Sequence, residues 1–296
     1  MKILVTGANG LLGQTLIKLL LEKKYEVTGI GRGPSRLVIA ALDGYSYKEL
    51  DITDGPAVET FIVEEKPGII VHAAAMTQVD QCELNKPDCY NINVTATRFI
   101  IDAAKAINAR FLYVSTDFIF DGANGPYKED DEPAPVNYYG GTKLVAEKAV
   151  MESGLRWAIA RTILVYGETG MPSRPNILGW MKQSLAASKT INMVTDQWRT
   201  PTFVSDLANG ILLMIEKNVT GIYHLSGEQQ MTPYEMGVET AKFFGYDASL
   251  VKQSSSPDIK QPAVRPPRTG FIIDKAKKEL GYKPSTFQEG LKKIFT

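Results

Sequence analysis

Short apolar runs alternate with amphipathic stretches through the first half of the chain. Runs rich in Ile, Val and Leu predict buried strands over Lys2–Thr6, 26–30, Ile69–His72, 111–115 and 157–161. Helical periodicity follows Leu11 and recurs over 55–66, over about 90–107 and from Tyr139 onward. Strands that alternate with helices in this way favour an α/β fold with a right-handed, doubly wound parallel sheet.

The second half of the chain has a looser pattern. A loop with two prolines is predicted over 170–175, and helices over about 205–217, 232–244 and 286–294 are joined by segments rich in Pro, Gly and Ser. We therefore predict a sheet domain over 1–165, to which 200–218 returns. Residues 166–296 are expected to form mainly a smaller C-terminal α/β cap that binds the substrate.

Charge and composition narrow the class of partner. The 296 residues carry 33 Lys and Arg against 33 Asp and Glu, so no net charge attracts the chain to nucleic acid or to an acidic membrane. No apolar run is long enough to predict a membrane span, and the chain starts directly with a predicted strand. We expect no signal peptide, a cytoplasmic location and a small-molecule ligand.

The cysteines and histidines indicate no metal site and no hydrolase. Cys82 and Cys89 lie in a segment without further metal ligands, so we expect buried free thiols in a reducing compartment. His72 and His224 fall in predicted strands and are interpreted as structural residues. A Ser/His/Asp hydrolase is disfavoured because neither histidine is well placed.

A glycine turn follows the first strand. Gly7, Gly10 and Gly13 are spaced so that the backbone can approach a pyrophosphate at the start of a helix, although glycines also pack ordinary turns. No Asp or Glu occurs between Val27 and Leu42 to bind a ribose 2′-hydroxyl. Arg32 and Arg36 suit a 2′-phosphate instead, or else are solvated loop residues.

The stretch 115–143 contains the candidate chemistry. Tyr139 and Lys143 have i,i+4 spacing, which places phenol and ammonium on one helix face, about 6 Å apart. A nearby cation favours the phenolate, so Tyr139 could exchange a proton with a substrate oxygen that Thr116 also binds. On spacing alone, an ordinary amphipathic helix is by far the commoner explanation.

Several separated motifs together resemble the extended short-chain dehydrogenase/reductase superfamily: the glycine triplet, Asn93 with Thr97, Ser115-Thr-Asp117 and Tyr139-x-x-x-Lys143. Within it, STDFIFDG from Ser115, PYKEDDEPAPVNYYGGTKL from Pro126, DQWRTPT from Asp196 and RPPR from Arg265 are similar to dTDP-4-dehydrorhamnose reductases. The likeness covers essentially the whole chain. It implies a Rossmann-like domain and NADPH or NADH as the reductant. The implied reaction reduces the C4 ketone of a nucleotide-sugar, dTDP-4-dehydro-L-rhamnose.

The resemblance also implies roles for individual residues. Tyr139 donates the proton, Lys143 binds the nicotinamide ribose and Thr116 binds the ketone oxygen. The implied cofactor-binding residues are Gly7, Asn9, Gly10, Leu11, Leu12, Gly13, Arg32, Arg36, Asp51, Ile52, Ala73, Ala74, Ala75, Asn93, Tyr139 and Lys143. The implied substrate-binding residues are Thr77, Val79, Thr116, Asp117, Phe118, Leu164, Arg199 and Arg265.

Two positions depart from the reductase pattern. Phe118 stands where the reductases usually have Tyr, and Leu164 stands where they usually have Trp. The first change removes a potential hydrogen bond to the sugar, and the second removes a stacking surface. Both concern the substrate rather than the proton and hydride chemistry.

Two alternatives share the fold. The segments 163–168 and 226–236 are also similar to the regulatory beta subunit of methionine adenosyltransferase, which implies a dinucleotide-binding regulatory protein. A nucleotide-sugar epimerase or dehydratase would share the catalytic trio, but dehydratases generally have Asp-Glu after the Ser/Thr, where this chain has Asp117 and Phe118. We further expect a homodimer and no bound metal.

Overall fold

The computed structural model describes residues 1–37, 43–168 and 176–295, so the loop predicted over 170–175 lies outside the described residues. Seven parallel strands form one sheet in the order β10-β6-β5-β4-β1-β2-β3, and two pairs, β11-β8 and β7-β9, lie outside it. The strands are β1 (Lys2–Thr6), β2 (Glu26–Gly31), β3 (Tyr45–Glu49), β4 (Ile69–His72), β5 (Arg110–Thr116), β6 (Trp157–Thr162), β7 (Val165–Tyr166), β8 (Ile191–Val194), β9 (Thr202–Phe203), β10 (Gly221–His224) and β11 (Val251–Ser254).

Helices cover both faces of the sheet and build the C-terminal region. The predicted helices over 55–66, 205–217, 232–244 and 286–294 are confirmed to within about a residue at each end. The helices are α1 (Leu11–Glu22), α2 (Gly55–Glu65), α3 (Val79–Leu84), α4 (Lys86–Tyr90), α5 (Ala96–Ala106), α6 (Tyr138–Met151), α7 (Ile177–Ala186), α8 (Val204–Glu216), α9 (Pro233–Phe244) and α10 (Phe287–Phe295). A π-helical turn, Asn91–Thr95, stands where one continuous helix was predicted from about 90.

The strand order confirms the predicted doubly wound sheet and locates its crevice. The chain runs from β1 outward to β3, then returns to the other side of β1 and continues through β4, β5 and β6. The reversal lies between β1 and β4, which pair in parallel from Ile3 with Ile69 to Thr6 with His72. Ligands of such sheets bind outside the carboxyl ends of the strands at this switch point.

Each face of the sheet packs against its own set of helices. One apolar cluster joins Val5 and Ala160 of the sheet to Leu16 of α1 and Leu207 of α8. The other joins Ile70 and Ile159 to Ile62 of α2, Ile100 of α5 and Ala146 of α6. Because both faces are covered, the central strands are almost continuously apolar, which explains why the sequence predicts them well.

The C-terminal half contributes to both the sheet and the cap. α8 packs on α1, within the segment predicted to return, and β10 comes from the range that we assigned mainly to the cap. A third cluster, which includes Met181 of α7, Met236 of α9 and Leu291 of α10, forms the core of the cap. The division into domains stays a prediction. No helix of the described residues is both long and apolar enough to span a bilayer.

The prediction of free thiols is wrong. Cys82 and Cys89 form a disulfide, with their Cα atoms 5.0 Å apart. Cys82 lies in α3 and Cys89 in α4, and the chain breaks between them at Asn85, whose backbone is not helical. A continuous helix would hold residues seven apart at about 10 Å, because each residue adds 1.5 Å. The pairing therefore depends on a helix break that the spacing alone does not predict.

Candidate active site

The glycine turn lies directly against the segment that follows β4. A Cβ atom on Gly7 would lie 3.0 Å from Ala74, and Gly7 has a φ of +71°. A Cβ atom on Gly13 would lie 2.2 Å from the Gly7 carbonyl oxygen, so α1 can start close to the strand only if residue 13 is glycine. The three glycines thus bring the turn, the first helical turn and Ala73–75 together at the switch point.

The start of α1 fits an anionic ligand. Its N-cap residue, Gly10, supplies no capping side chain, and the first turn contains no acidic residue. The first N–H groups of a helix lack partners within the helix and carry a partial positive charge. A pyrophosphate fits this end, so Gly7, Gly10, Leu11, Leu12 and Gly13 are the residues that would hold it through their backbone.

His72 is a structural residue, as predicted. Thr6 Oγ1 accepts the N–H groups of Ala73 and Ala74 and lies 2.7 Å from His72 Nδ1, so its own proton is directed to the imidazole. His72 Nε2 then donates to Thr97 Oγ1 at 2.9 Å. Burial, and secondarily the charge of Lys143, lowers the pKa of His72 to about 3. The ring is neutral at pH 7 and links the two strands of the switch point to the helix layer.

Asn93 holds the segment after β4 in place. It sits in the π-helical turn, where its Oδ1 accepts the Met76 N–H at 2.8 Å and its Nδ2 donates to the Met76 carbonyl. Nδ2 also donates to Thr142 Oγ1 at 3.1 Å, which connects this turn to α6. π turns inside helices are frequent at functional sites. Asn93 therefore positions the walls of the crevice through protein contacts.

A glycine contact places the start of α6 beside the end of β5. Asn137 caps the helix by accepting the Gly140 N–H at 2.8 Å. A Cβ atom on Gly140 would lie only 2.0 Å from the Phe118 carbonyl oxygen, so backbone packs directly on backbone there. Tyr139 lies in this same turn and is nearly buried, and Phe118 packs edge-on against its ring at 5.8 Å. The strand end that carries Thr116 and the helix start that carries Tyr139 are thus neighbours.

Lys143 is buried one turn further along α6. Its Nζ donates to the Val114 carbonyl at 2.8 Å and lies 4.1 Å from the centroid of the Tyr113 ring. Burial lowers the pKa of Lys143 to about 7, while the carboxylate of Glu147 acts in the opposite direction. The ammonium is therefore held near β5 and can gain or lose its proton close to neutral pH.

Thr116 is oriented by a buried carboxylate that the cap also binds. Thr116 Oγ1 donates to Asp117 Oδ1 at 3.1 Å, and Thr269 Oγ1 donates to Asp117 Oδ2. Arg199 Nε lies 3.9 Å from the same Oδ2. Burial raises the pKa of Asp117, and these three partners oppose the rise. Asp117 and Arg199, both predicted to bind substrate, are buried here and contact protein groups.

The predicted substrate residue Arg265 likewise binds the protein. Its guanidinium contacts both carboxylate oxygens of Asp80 in α3, with Nη2 2.7 Å from Oδ2, and this pairing lowers the pKa of Asp80. Asn137 Nδ2 donates to the neighbouring Val264 carbonyl at 2.8 Å. These contacts hold the segment 263–268 across the starts of α3 and α6.

The remaining predicted substrate residues are divided between different parts of the structure. Val79 packs with Tyr139 and Phe118 in one small apolar cluster, and Thr77 is exposed between β4 and α3. Leu164 follows β6, is half-buried and has a φ of +37°, which is unusual for a branched side chain. Phe118 and Leu164 thus border the region that the sequence assigns to the sugar.

The residues predicted for the adenosine side of the cofactor lie at the ends of β2 and β3. Arg32 is exposed and Arg36 half-buried, and the backbone of their loop is bound by Asn9. Asp51 Oδ1 accepts the N–H and hydroxyl of Thr53, while Ile52 is buried against the second apolar cluster.

Three positioning residues were missed in the sequence. Gly140 could have been recognised because two adjacent glycines are unfavourable in a helix unless the backbone is approached closely. Tyr47 could have been recognised from the alternating pattern of Tyr45–Glu49, the strand β3, which was not predicted. Thr269 had no signal, because its partner Asp117 is distant in the chain.

Comparison with known proteins places this arrangement in a family. The profile of the family described as RmlD substrate binding domain matches residues 1–296. A protein of Haloferax volcanii named Probable low-salt glycan biosynthesis reductase Agl14 is 33% identical, with 97% of this chain and 95% of that protein covered. The dTDP-4-dehydrorhamnose reductase of Aggregatibacter actinomycetemcomitans is 32% identical, with 99% and 98% covered. The methionine adenosyltransferase 2 subunit beta of Pongo abelii is 35% identical, with 85% and 74% covered.

Solved structures agree with the sequence relatives. A dTDP-4-dehydrorhamnose reductase of Clostridium acetobutylicum superposes with a TM-score of 0.87 at 31% identity, covering 99% of this chain and 98% of that one. The dTDP-4-dehydrorhamnose reductase of Bacillus anthracis, solved in complex with NADP, superposes with a TM-score of 0.86 at 28% identity and the same coverage.

Proposed function

The chain belongs to the RmlD substrate binding domain family, within the extended short-chain dehydrogenase/reductase superfamily, and from this premise we propose that it is an NAD(P)H-dependent reductase. Its proposed substrate is dTDP-4-dehydro-L-rhamnose (dTDP-6-deoxy-L-lyxo-4-hexulose), whose C4 ketone becomes the alcohol of dTDP-L-rhamnose. The observation that carries the proposal is the Gly140 contact, which brings Tyr139 beside Thr116 at the carboxyl edge of the sheet.

The proposed mechanism assigns one task to each of three side chains. Thr116 binds the ketone oxygen and Tyr139 transfers its proton to that oxygen as negative charge develops there. A charged Lys143, one helical turn away, favours the anion that remains on Tyr139. The Thr116 hydroxyl donates a hydrogen bond to Asp117 Oδ1 in this structure. It must therefore turn towards the ketone oxygen when the substrate binds.

The reduced nicotinamide supplies the hydride when it is bound. The start of α1 and the glycine turn would hold its pyrophosphate, and Ala73–75 would line its path to the nicotinamide end. NADPH is the proposed form, because β2 is followed by Arg32 and not by an acidic residue. The NADP complex of the Bacillus anthracis protein supports the same choice.

The proposed test measures NADPH and NADH oxidation with a panel of dTDP-linked and other nucleotide-linked 4-keto-6-deoxysugars. Tyr139→Phe keeps the ring and removes the proton donor, so kcat should fall about 10²-fold or more while the Kd for NADPH changes little. Tyr138→Phe is the matched control, since the same hydroxyl is deleted one residue away. Equal turnover by Tyr139→Phe and Tyr138→Phe would remove Tyr139 from the mechanism.

A second candidate function is supported by the relatives named methionine adenosyltransferase 2 subunit beta. In that case the chain would bind a dinucleotide and associate with a methionine adenosyltransferase without turning over a sugar. Phe118 and Leu164 favour this candidate, because both reduce the expected contact with a sugar. Binding of NADPH, no turnover of any sugar in the panel, and co-purification of a methionine adenosyltransferase would support it.

Location and assembly are part of the proposal. We propose a cytoplasmic homodimer that binds neither nucleic acid nor membrane, as the balanced charge favours. The Cys82–Cys89 disulfide counts against the cytoplasmic location, because reducing compartments seldom maintain a disulfide. Alkylation of the protein in rapidly quenched cells, followed by mass measurement, would determine the state of this pair.

A further inference from the structure

The loop Gly31–Arg36 is attached to the rest of the molecule by two side chains from different elements. Asn9, in the glycine turn, donates through Nδ2 to the carbonyls of Arg32 and Pro34, both at 3.0 Å, and accepts the Arg36 N–H through Oδ1 at 2.8 Å. Tyr47, in β3, directs its hydroxyl at the carbonyls of Gly33 at 2.6 Å and Gly31 at 3.0 Å.

The two side chains also bind each other. Asn9 Nδ2 lies 2.9 Å from Tyr47 Oη, so its two hydrogens are shared among three acceptors. The amide of Asn9 is therefore occupied by protein groups on both of its polar atoms. Tyr47 is brought into reach because β3 pairs with β2 in a register that sets Tyr47 opposite Gly29, just before the loop. We call the pair Asn9 and Tyr47 the loop latch.

The loop needs such a latch because its own backbone provides little restraint. Gly31 ends β2 and is paired with Glu49, but Gly33 has a φ of +69°, which glycine adopts without steric cost, and the residues after Gly31 have no strand partner. A loose loop would lose conformational entropy when its arginines bind an anion. A loop that is already ordered avoids most of that loss.

We infer that the loop latch is a specificity device: it holds the backbone of Gly31–Arg36 so that Arg32 and Arg36 meet the 2′-phosphate that distinguishes NADPH from NADH. Asn9 and Tyr47 act as positioning residues, with no contact of their own to the phosphate. The inference rests on the proposed function, because it presumes that a nicotinamide dinucleotide binds at the glycine turn. The inference adds a reason why the two arginines would favour NADPH over NADH: their backbone is held in place before the cofactor binds.

The experiment is a double-mutant cycle on cofactor affinity, measured by calorimetric titration of NADPH and NADH without substrate. Tyr47→Phe, which keeps the ring and removes the hydroxyl, should weaken NADPH binding about 5- to 20-fold and leave the Kd for NADH within about twofold. Tyr25→Phe is the control, because Tyr25 precedes β2 at the opposite edge of the sheet.

The arginine background completes the cycle. With Arg32→Ala and Arg36→Ala already present, Tyr47→Phe should have no further effect on NADPH. An equal loss of NADH and NADPH affinity, or an NADPH effect that persists without the arginines, would overturn the latch. If neither cofactor binds the wild-type protein, the proposed function fails first, and the two failures are thereby distinguished.

Discussion

At the scale of single residues, the burial of Lys143 should make the stability of the protein depend on pH. The residue is 2% exposed, and its pKa is lowered to about 7, whereas a lysine in the unfolded chain has a pKa of about 10.4. Between these values the unfolded chain holds a proton that the folded protein has released. Stability must therefore rise with pH across this window, at up to about 1.4 kcal/mol per pH unit for this one group.

We predict that the free energy of unfolding of the wild type rises between pH 7 and pH 9. This rise should exceed the rise for Lys143→Met by about 2 kcal/mol. Denaturant unfolding at the two pH values measures the difference, and subtraction of the variant removes contributions from all other groups. Lys148→Met is the control, because Lys148 is exposed on the same helix. Parallel pH profiles for the wild type and Lys143→Met would mean that Lys143 is not the titrating group.

At the scale of elements, the start of α6 depends on one of two adjacent glycines. Any side chain at residue 140 would collide with the Phe118 carbonyl, whereas a Cβ atom on Gly141 would have no neighbour within 4 Å. The helix cannot shift without moving Tyr139 away from Thr116. Residue 140 therefore links the packing of α6 to the proposed catalytic geometry.

We predict that Gly140→Ala lowers the free energy of unfolding by about 1–3 kcal/mol or more, as overpacking does. Its kcat should fall at least 10-fold, because small displacements of catalytic groups are costly. Gly141→Ala should instead stabilise the helix by about 0.5–1 kcal/mol. Equal stabilities of the two variants, measured by denaturant unfolding, would contradict the packing argument.

The elements were predictable where one local pattern determines them. The bounds of β1 and β4 were predicted without error, because buried parallel strands are short apolar runs. The strand β3 was missed because it lies at the edge of the sheet, where it pairs with β2 alone. Its sequence is partly polar and so lacks the apolar run of a central strand. The disulfide was missed because it depends on the break at Asn85. Within the site, the i,i+4 pair Tyr139 and Lys143 has a local signature, while the partners of Asp117 and Arg265 are distant in sequence.

At the scale of the whole molecule, Asp117 joins the sheet to the cap. Its Oδ1 faces Thr116 and its Oδ2 receives the hydroxyl of Thr269, which comes from the C-terminal half. Thr269→Val keeps the shape and removes the donor, which leaves a buried carboxylate oxygen short of a partner. Such a loss costs about 1–3 kcal/mol.

We predict that Thr269→Val lowers the free energy of unfolding by that amount and raises the KM for the sugar. Thr240→Val is the matched control: Thr240 is equally buried, but its hydroxyl donates to the Met236 carbonyl within α9, so its loss leaves no charged group unpaired. If Thr240→Val is as destabilising as Thr269→Val, the hydrogen bond from Thr269 to Asp117 contributes no more to stability than an ordinary buried hydroxyl.

The position of β10 has a consequence for how the protein is made. β10 pairs with β6 at the end of the sheet, and α8 covers α1, yet both are translated after β7, α7, β8 and β9. A nascent chain that has delivered only its first 165 residues would carry an open edge along Ala158–Arg161 and a bare apolar face on α1. Open edges and apolar faces of this kind favour wrong association. The half of the molecule that is expected to bind the dinucleotide therefore cannot complete its fold until α7 and β8, the first elements of the cap, have been synthesised.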